Sequence, residues 1–112
     1  MDRYSKSQRK KLRQLKDIAY ERELDQELSE LYQDFQKWWN KEIDGFELNG
    51  LIHKYHQGSL RGVWKTYNYM DLYMVVSRAV ALGLLKKEDI QEDILEIIDT
   101  RIDFFSGNDE SE

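Results

Sequence analysis

Residues 5 to 42 contain no glycine or proline, and their apolar side chains recur as Leu12, Leu15, Ile18 and Ala19, then Leu24, Leu28, Leu31, Phe35 and Trp38. Steps of three and four residues match the α-helical period. The pattern predicts one long helix, or two stacked end to end. Its second half, through Leu28, Leu31, Phe35 and Trp38, predicts the core-facing stripe, whereas the first half has little to bury.

Asp44-Gly45 breaks the pattern, and Asp44 with Glu47 three positions on predicts a capping box for a second helix carrying Phe46, Leu48, Leu51, Ile52 and Tyr55. Gly58 is expected to close that helix as its C′ residue. Ser59 is expected to cap a short third helix, with Leu60, Val63, Trp64 and Tyr67 on its apolar side and Arg61, Lys65 and Asn68 opposite. After a turn at 68–71, residues 72–82 are apolar nearly all round except for Ser77 and Arg78, which predicts a central, heavily buried helix ended by Gly83. Asp89 and Glu92 predict a second capping box, and Ile90, Ile94, Ile97, Ile98, Ile102 and Phe105 make the cleanest helical stripe of the chain. Residues 107–112 read as an acidic tail.

The chain has no proline and six glycines among 112 residues, so long stretches lack a breaker. The expected fold is all-α: a compact bundle of about five helices with a long charged N-terminal helix. It divides into a basic extension of the first helix (1–16), a helical bundle domain (17–106) and the tail. One domain of this length carries a single core. With no cysteine, disulfides, thiolate metal sites and thiol nucleophiles are excluded. No segment approaches the apolar length of a membrane span, and the start lacks the apolar region of a signal peptide. A soluble, cytoplasmic protein without membrane contact is expected.

Charge changes the picture of the first helix. Residues 1–16 carry seven basic side chains against Asp2, a net of +6, and residues 17–34 carry seven acidic ones against Arg22, a net of −6. A basic block at a helix N-terminus opposes the macrodipole, so local helix energetics do not explain the order. One explanation is a homodimer in which two first helices pair antiparallel about a two-fold axis near Ile18, setting Leu12 opposite Leu24. A second is nucleic acid held by the stripe Lys6, Arg9, Lys10, Arg13 and Lys16, although the overall charge of −5 argues against a large footprint. A third is a solvated, fraying extension with no specific role.

Both histidines lie in residues 51–68, LIHKYHQGSLRGVWKTYN. His53 and His56 are three apart, with Asn49 a turn earlier, and Arg61 and Lys65 could hold an anionic group nearby. Metal binding would need carboxylates from another helix, and catalysis lacks a nucleophile because Ser59 reads as a cap. The simpler expectation is a histidine packed at a helix contact, with Gly58 and Gly62 permitting close backbone approach. Trp38 continues the predicted stripe and Trp39 lies at its flank, as a core residue or as an exposed partner anchor. Tyr69, Met70 and Tyr73 are read as core first. Arg78 needs a carboxylate or must snorkel to solvent, and an acid of the last helix is the expected partner.

Residues 51–58 (LIHKYHQG), followed by Arg61, Trp64-Lys65 and Tyr67, resemble a motif of a family of short bacterial all-helical proteins with no established activity. Gly83-Leu84-Leu85 with the acidic start Glu88-Asp89-Ile90 resembles that family's C-terminal half. The likeness spans 44–105. It implies a bacterial cytoplasmic helical domain and transfers no catalytic residue, cofactor or metal; the first helix departs from it by being longer and more polar. The function expected is non-enzymatic binding or regulation through a protein partner or a second copy. The alternatives are an anion- or metal-binding module or enzyme built on His53, His56, Arg61 and Lys65, and nucleic-acid binding through the basic N-terminus.

Overall fold

Ser5 starts the first helix: its hydroxyl accepts the Gln8 N–H at 3.1 Å while the Gln8 amide oxygen accepts the Ser5 N–H at 2.9 Å. This reciprocal cap satisfies two donors that the first turn leaves free. No breaker intervenes, and α1 (Lys6–Trp39) runs 34 residues as a single helix. At 1.5 Å per residue that is about 51 Å, which accounts for the 53 Å longest dimension of the protein.

The computed structural model describes residues 5–106, so the acidic tail lies outside the described residues. After α1 come α2 (Gly45–Gln57), α3 (Ser59–Tyr69), α4 (Leu72–Ala81), a 3-10 turn (Lys87–Asp89) and α5 (Glu92–Ser106), with no strand among the described residues. The described residues form an all-α bundle of five helices.

Chain reversals follow the turn chemistry. Asp44 and Glu47 form the expected capping box at α2, with Glu47 N–H to Asp44 Oδ1 at 2.8 Å. Helix α4 ends in a Schellman turn: Leu84 N–H reaches Ala79 O at 2.9 Å and Gly83 N–H reaches Val80 O at 3.0 Å, with Gly83 at φ +81°. The same pattern ends α1, where Glu42 N–H bonds Lys37 O and Lys41 N–H bonds Trp38 O. There Lys41 occupies the left-handed position at φ 61°, which ordinarily favours glycine.

Three expected caps differ. Gly58, not Ser59, is the N-cap of α3, and no side chain caps that helix. Gly58 also ends α2 with negative φ, so α2 runs into α3 through a kink instead of a left-handed turn. Glycine is required there because a Cβ would sit 2.8 Å from Lys54 O. At α5 the first α-helical bond runs from Leu95 N–H to Gln91 O, while Asp89 belongs to the 3-10 turn, so Asp89 and Glu92 do not form the expected box.

The core lies where α4 is held between α1 and α5. Val75, Val76 and Ala79 of α4 meet Ile94, Ile98 and Ile102 of α5, Leu12 and Ala19 of α1, and Val63 and Tyr67 of α3. Ser77 is fully buried, and its hydroxyl donates to Tyr73 O at 2.8 Å, one turn back. Helix α2 packs on α1 and α3 and buries Leu48.

This arrangement reverses the reading of α1. Leu12 and Ala19 in its first half are the buried positions, whereas Leu28, Phe35 and Trp38 in its second half are exposed. The physical reason is that α4 and α5 lie along the first half. Lys11 pairs with Asp93 at 3.8 Å and the Gln8 amide donates to Asp93 at 3.3 Å, further tying that half to α5. Residues 6–16 are therefore part of the bundle and not a fraying extension. Tyr69 and Trp39 are likewise exposed, although Met70 and Tyr73 do join the core.

Candidate functional site

The structure disperses the histidine segment. Asn49, His53 and Lys65 are exposed, and so is His56, so neither imidazole is packed away at a helix contact as expected. Gly62 has nothing within 4 Å of a would-be Cβ and permits no close approach. Among the described residues no three histidine, cysteine or carboxylate side chains gather as a metal would require. Of the segment, His56 and Arg61 are brought together. They edge an open groove of about 610 Å³ whose apolar wall is formed by Tyr20, Leu24 and Leu28 of α1 and by Leu60 and Trp64 of α3. Trp64 stands edge-on to Tyr69 at 5.4 Å between ring centroids.

Of the basic stripe, Lys6, Lys10 and Arg13 are exposed, while Arg9 and Lys16 are half-buried. At 100° per residue Lys6, Lys10 and Arg13 share one side of α1, roughly opposite Leu12 and Ala19. Residues eleven apart fall on nearly the same line, so this outward side continues from Lys6 through Asp17 to Leu28 and Trp39. It is basic, then acidic, then aromatic.

The aromatic block consists of Leu28, Tyr32, Phe35 and Trp39, separated by four, three and four residues. Tyr32 is 62% exposed and Trp39 76%, with Leu28 and Phe35 exposed as well. Trp38 lies at the block's edge, stacked edge-on to Trp39 at 6.1 Å and with its indole nitrogen 4.0 Å from where a Gly45 Cβ would be. Cavities of about 310 and 570 Å³ open beside these rings, one toward Tyr32, Phe35 and Gln36 and the other toward Lys41, Ile43 and Asp44. Large apolar side chains clustered on the surface are the ordinary mark of an interaction site. Sequence reasoning singled out Trp39 but missed Tyr32. The signal was present in the four-three-four ladder, which competes with the ladder through Leu31 and Trp38 one residue away.

The antiparallel seam expected near Ile18 is not formed by this face. Leu12 is fully buried within its own chain and Leu24 packs on the core, which leaves Ile18 alone exposed.

On the inner side of α1 lies an ionic contact with α4. Arg78 presents its guanidinium to Glu23 with both nitrogens, Nη1 to Oε1 and Nη2 to Oε2 at 2.9 Å each, and the Tyr67 hydroxyl donates to Oε1 at 2.8 Å. The expected partner from the last helix is thus replaced by one from α1. Bidentate geometry and burial make such a contact directional. The Arg78 fork holds the Glu23 carboxyl below its ordinary range; burial opposes this and the Tyr67 bond assists. Burial, then the Glu23 contact, pushes the Tyr67 phenol upward. The Tyr67 ring also stacks on Tyr20, centroids 4.6 Å apart and planes at 3°, so α1, α3 and α4 meet at one point. Arg22 adds a further tie, donating to Leu84 O at 2.7 Å.

These features define an all-α bundle whose longest helix is clamped on one side and presents aromatic side chains on the other. Comparison of the chain with family models, with curated proteins and with solved structures gives no match. No helix among the described residues is long and apolar enough to cross a membrane.

Proposed function

We propose that the protein is a non-enzymatic binding module that acts through protein–protein contact, with the outward side of α1 from Leu28 to Trp39 as its docking face. The observation that carries this reading is the exposure of Leu28, Tyr32, Phe35 and Trp39 together on one helix side. A folded chain gains nothing by leaving four large apolar groups in water, so their clustering is explained by a partner. The absence of cysteine and the resemblance of residues 51–67 to short bacterial helical proteins support a cytoplasmic setting.

Lysine at both Tyr32 and Trp39 tests the reading. Because these side chains are mostly in solvent, at 62% and 76% exposure, the double variant is expected to melt within a few degrees of the native protein while losing any association the native chain shows. A fall in stability of several kcal/mol would mean that the face is part of the chain's own core, and the reading would fail.

A second reading rests on the groove that joins His56 and Arg61 to an apolar wall. It suits a small apolar molecule with an anionic end, since one wall is greasy and the edge carries a guanidinium. Decanoate is expected to perturb Trp64 fluorescence at lower concentration than decanol, and Arg61→Gln to abolish the difference. Equal responses to the two probes would dismiss it.

A further inference from the structure

The spacing of the docking face reads the same in both directions. From Leu28 the steps are four, three and four to Trp39, and from Trp39 they are four, three and four back to Leu28. A face with this property is mapped onto itself by a two-fold axis perpendicular to the helix, and isologous contacts require that self-complementarity. We infer that the face pairs with the same face of a second copy, the two α1 helices antiparallel about an axis between Gln33 and Asp34. This rests on the docking-face reading above and names its occupant.

Four observations favour that partner and that direction. Under this symmetry Leu28 lies opposite the other copy's Trp39, and Tyr32 opposite its Phe35, so the widest side chain meets the narrowest and two six-membered rings meet in the middle. The spacing is that of the a and d positions of paired helices. Next, the residues flanking the seam are uncharged: Ser29 and Gln36 on one side, Leu31 and Trp38 on the other. No like charges are brought together at its rim.

Charge also sets the direction. A parallel pair in register would lay each acidic stretch, residues 17–34 with a net of −6, beside its twin. In the antiparallel register the two acidic stretches are offset along the seam, and residues 17–27 of each chain run past the end of the other copy's α1, toward a turn of mixed charge that carries Lys41, Glu42 and Asp44. Like charges facing one another across an interface are costly, so the antiparallel order is favoured.

Finally, area sets the strength. With Tyr32 at 62%, Phe35 at 38%, Trp38 at 40%, Trp39 at 76% and Leu28 at 47% exposure, the face offers roughly 500 Å² per chain. A pair would bury roughly 1,000 Å², the lower bound for a specific interface. The dimer is therefore weak and depends on protein concentration. Being apolar, it does not loosen as salt rises, unlike a pairing driven by the +6 and −6 halves of the helix.

The experiment combines mass with geometry. Light scattering on the intact chain is expected to move from one chain toward two as concentration rises, at low and high salt alike. Because the chain has no cysteine, Leu28→Cys and Trp39→Cys each introduce a single thiol. Mixed under mild oxidation, the two variants are expected to join through a disulfide between position 28 of one chain and position 39 of the other. Leu28→Cys alone should not cross-link, since its own copies lie eleven residues apart along the seam, about 16 Å, far beyond disulfide reach. Self-cross-linking of Leu28→Cys, or a dimer that dissociates in salt, would overturn the antiparallel seam. A native chain that stays monomeric at every concentration would overturn self-pairing while leaving the docking face for a foreign partner. The docking face itself falls if lysines at Tyr32 and Trp39 cost the folded chain several kcal/mol of stability.

Discussion

Glu23→Ala is expected to destabilise the protein by about 2–3 kcal/mol, read as a lowered urea midpoint at neutral pH. Removing the carboxylate leaves the Arg78 guanidinium, four-fifths covered, without its counter-charge, and strips the Tyr67 hydroxyl of its acceptor. Breaking a fully buried pair costs more; the residual exposure of both side chains reduces the figure here. Glu23→Gln keeps the shape and an acceptor for Tyr67, so it should cost less than the alanine.

The same contact sets a pH profile. Arg78 holds the Glu23 carboxyl below its ordinary value of 4.5 in the folded chain, so the unfolded chain takes up that proton first as pH falls. The stabilisation is complete above about pH 4.5 and is lost progressively below it. Tyr67 behaves in the opposite sense. Its phenol is raised above the ordinary 10.0, so its contribution is complete below about pH 10 and is lost as pH rises beyond that. Urea midpoints measured across pH should show both limbs. Glu23→Gln should flatten the acid limb and Tyr67→Phe the alkaline one; a Glu23→Gln profile that parallels the native protein below pH 4.5 would place the acid sensitivity elsewhere.

Much of the fold is legible along the chain because helix patterns are local. The absence of breakers in α1, the Asp44 and Glu47 box, the apolar α4 and the isoleucine ladder of α5 each depend on residues within a turn or two of one another. What periodicity does not contain is which helix lies against which side. Arg78 shows the limit: burial of its helix demands a carboxylate, but choosing Glu23 over an acid of α5 requires knowing that α1 passes beside α4. A hint existed, since Glu23 falls on the same side of α1 as Leu12 and Ala19. A charge at the end of a buried ladder asks for a partner. The histidine segment misled for a related reason: its chemistry is conspicuous in a chain with only two histidines, yet Asn49, His53 and Lys65 lie in solvent and only His56 and Arg61 edge a common groove.

The reversal along α1 yields the other large effect. Apolar density marks a helix side that needs cover, and the cover can come from the same chain or from another. In the first half α4 and α5 supply it, and Leu12 sits at 0% exposure in a continuous core. In the second half α2 and α3 cover α1 only in part, and Leu28, Tyr32, Phe35 and Trp39 stay 38–76% exposed. Leu12→Ala is therefore expected to cost about 3 kcal/mol, through lost transfer energy and the cavity left among fully packed neighbours. Leu28→Ala, at a half-covered position, should cost about 1 kcal/mol or less in the monomer. Thermal or urea unfolding of the two variants at low protein concentration separates the cases. At high concentration, where self-pairing adds its own stabilisation, Leu28→Ala should fall further behind the native chain while the Leu12→Ala deficit stays as it was. Equal costs for the two substitutions at low concentration would mean that both halves of α1 face one core, and that the aromatic side of the helix is covered from within.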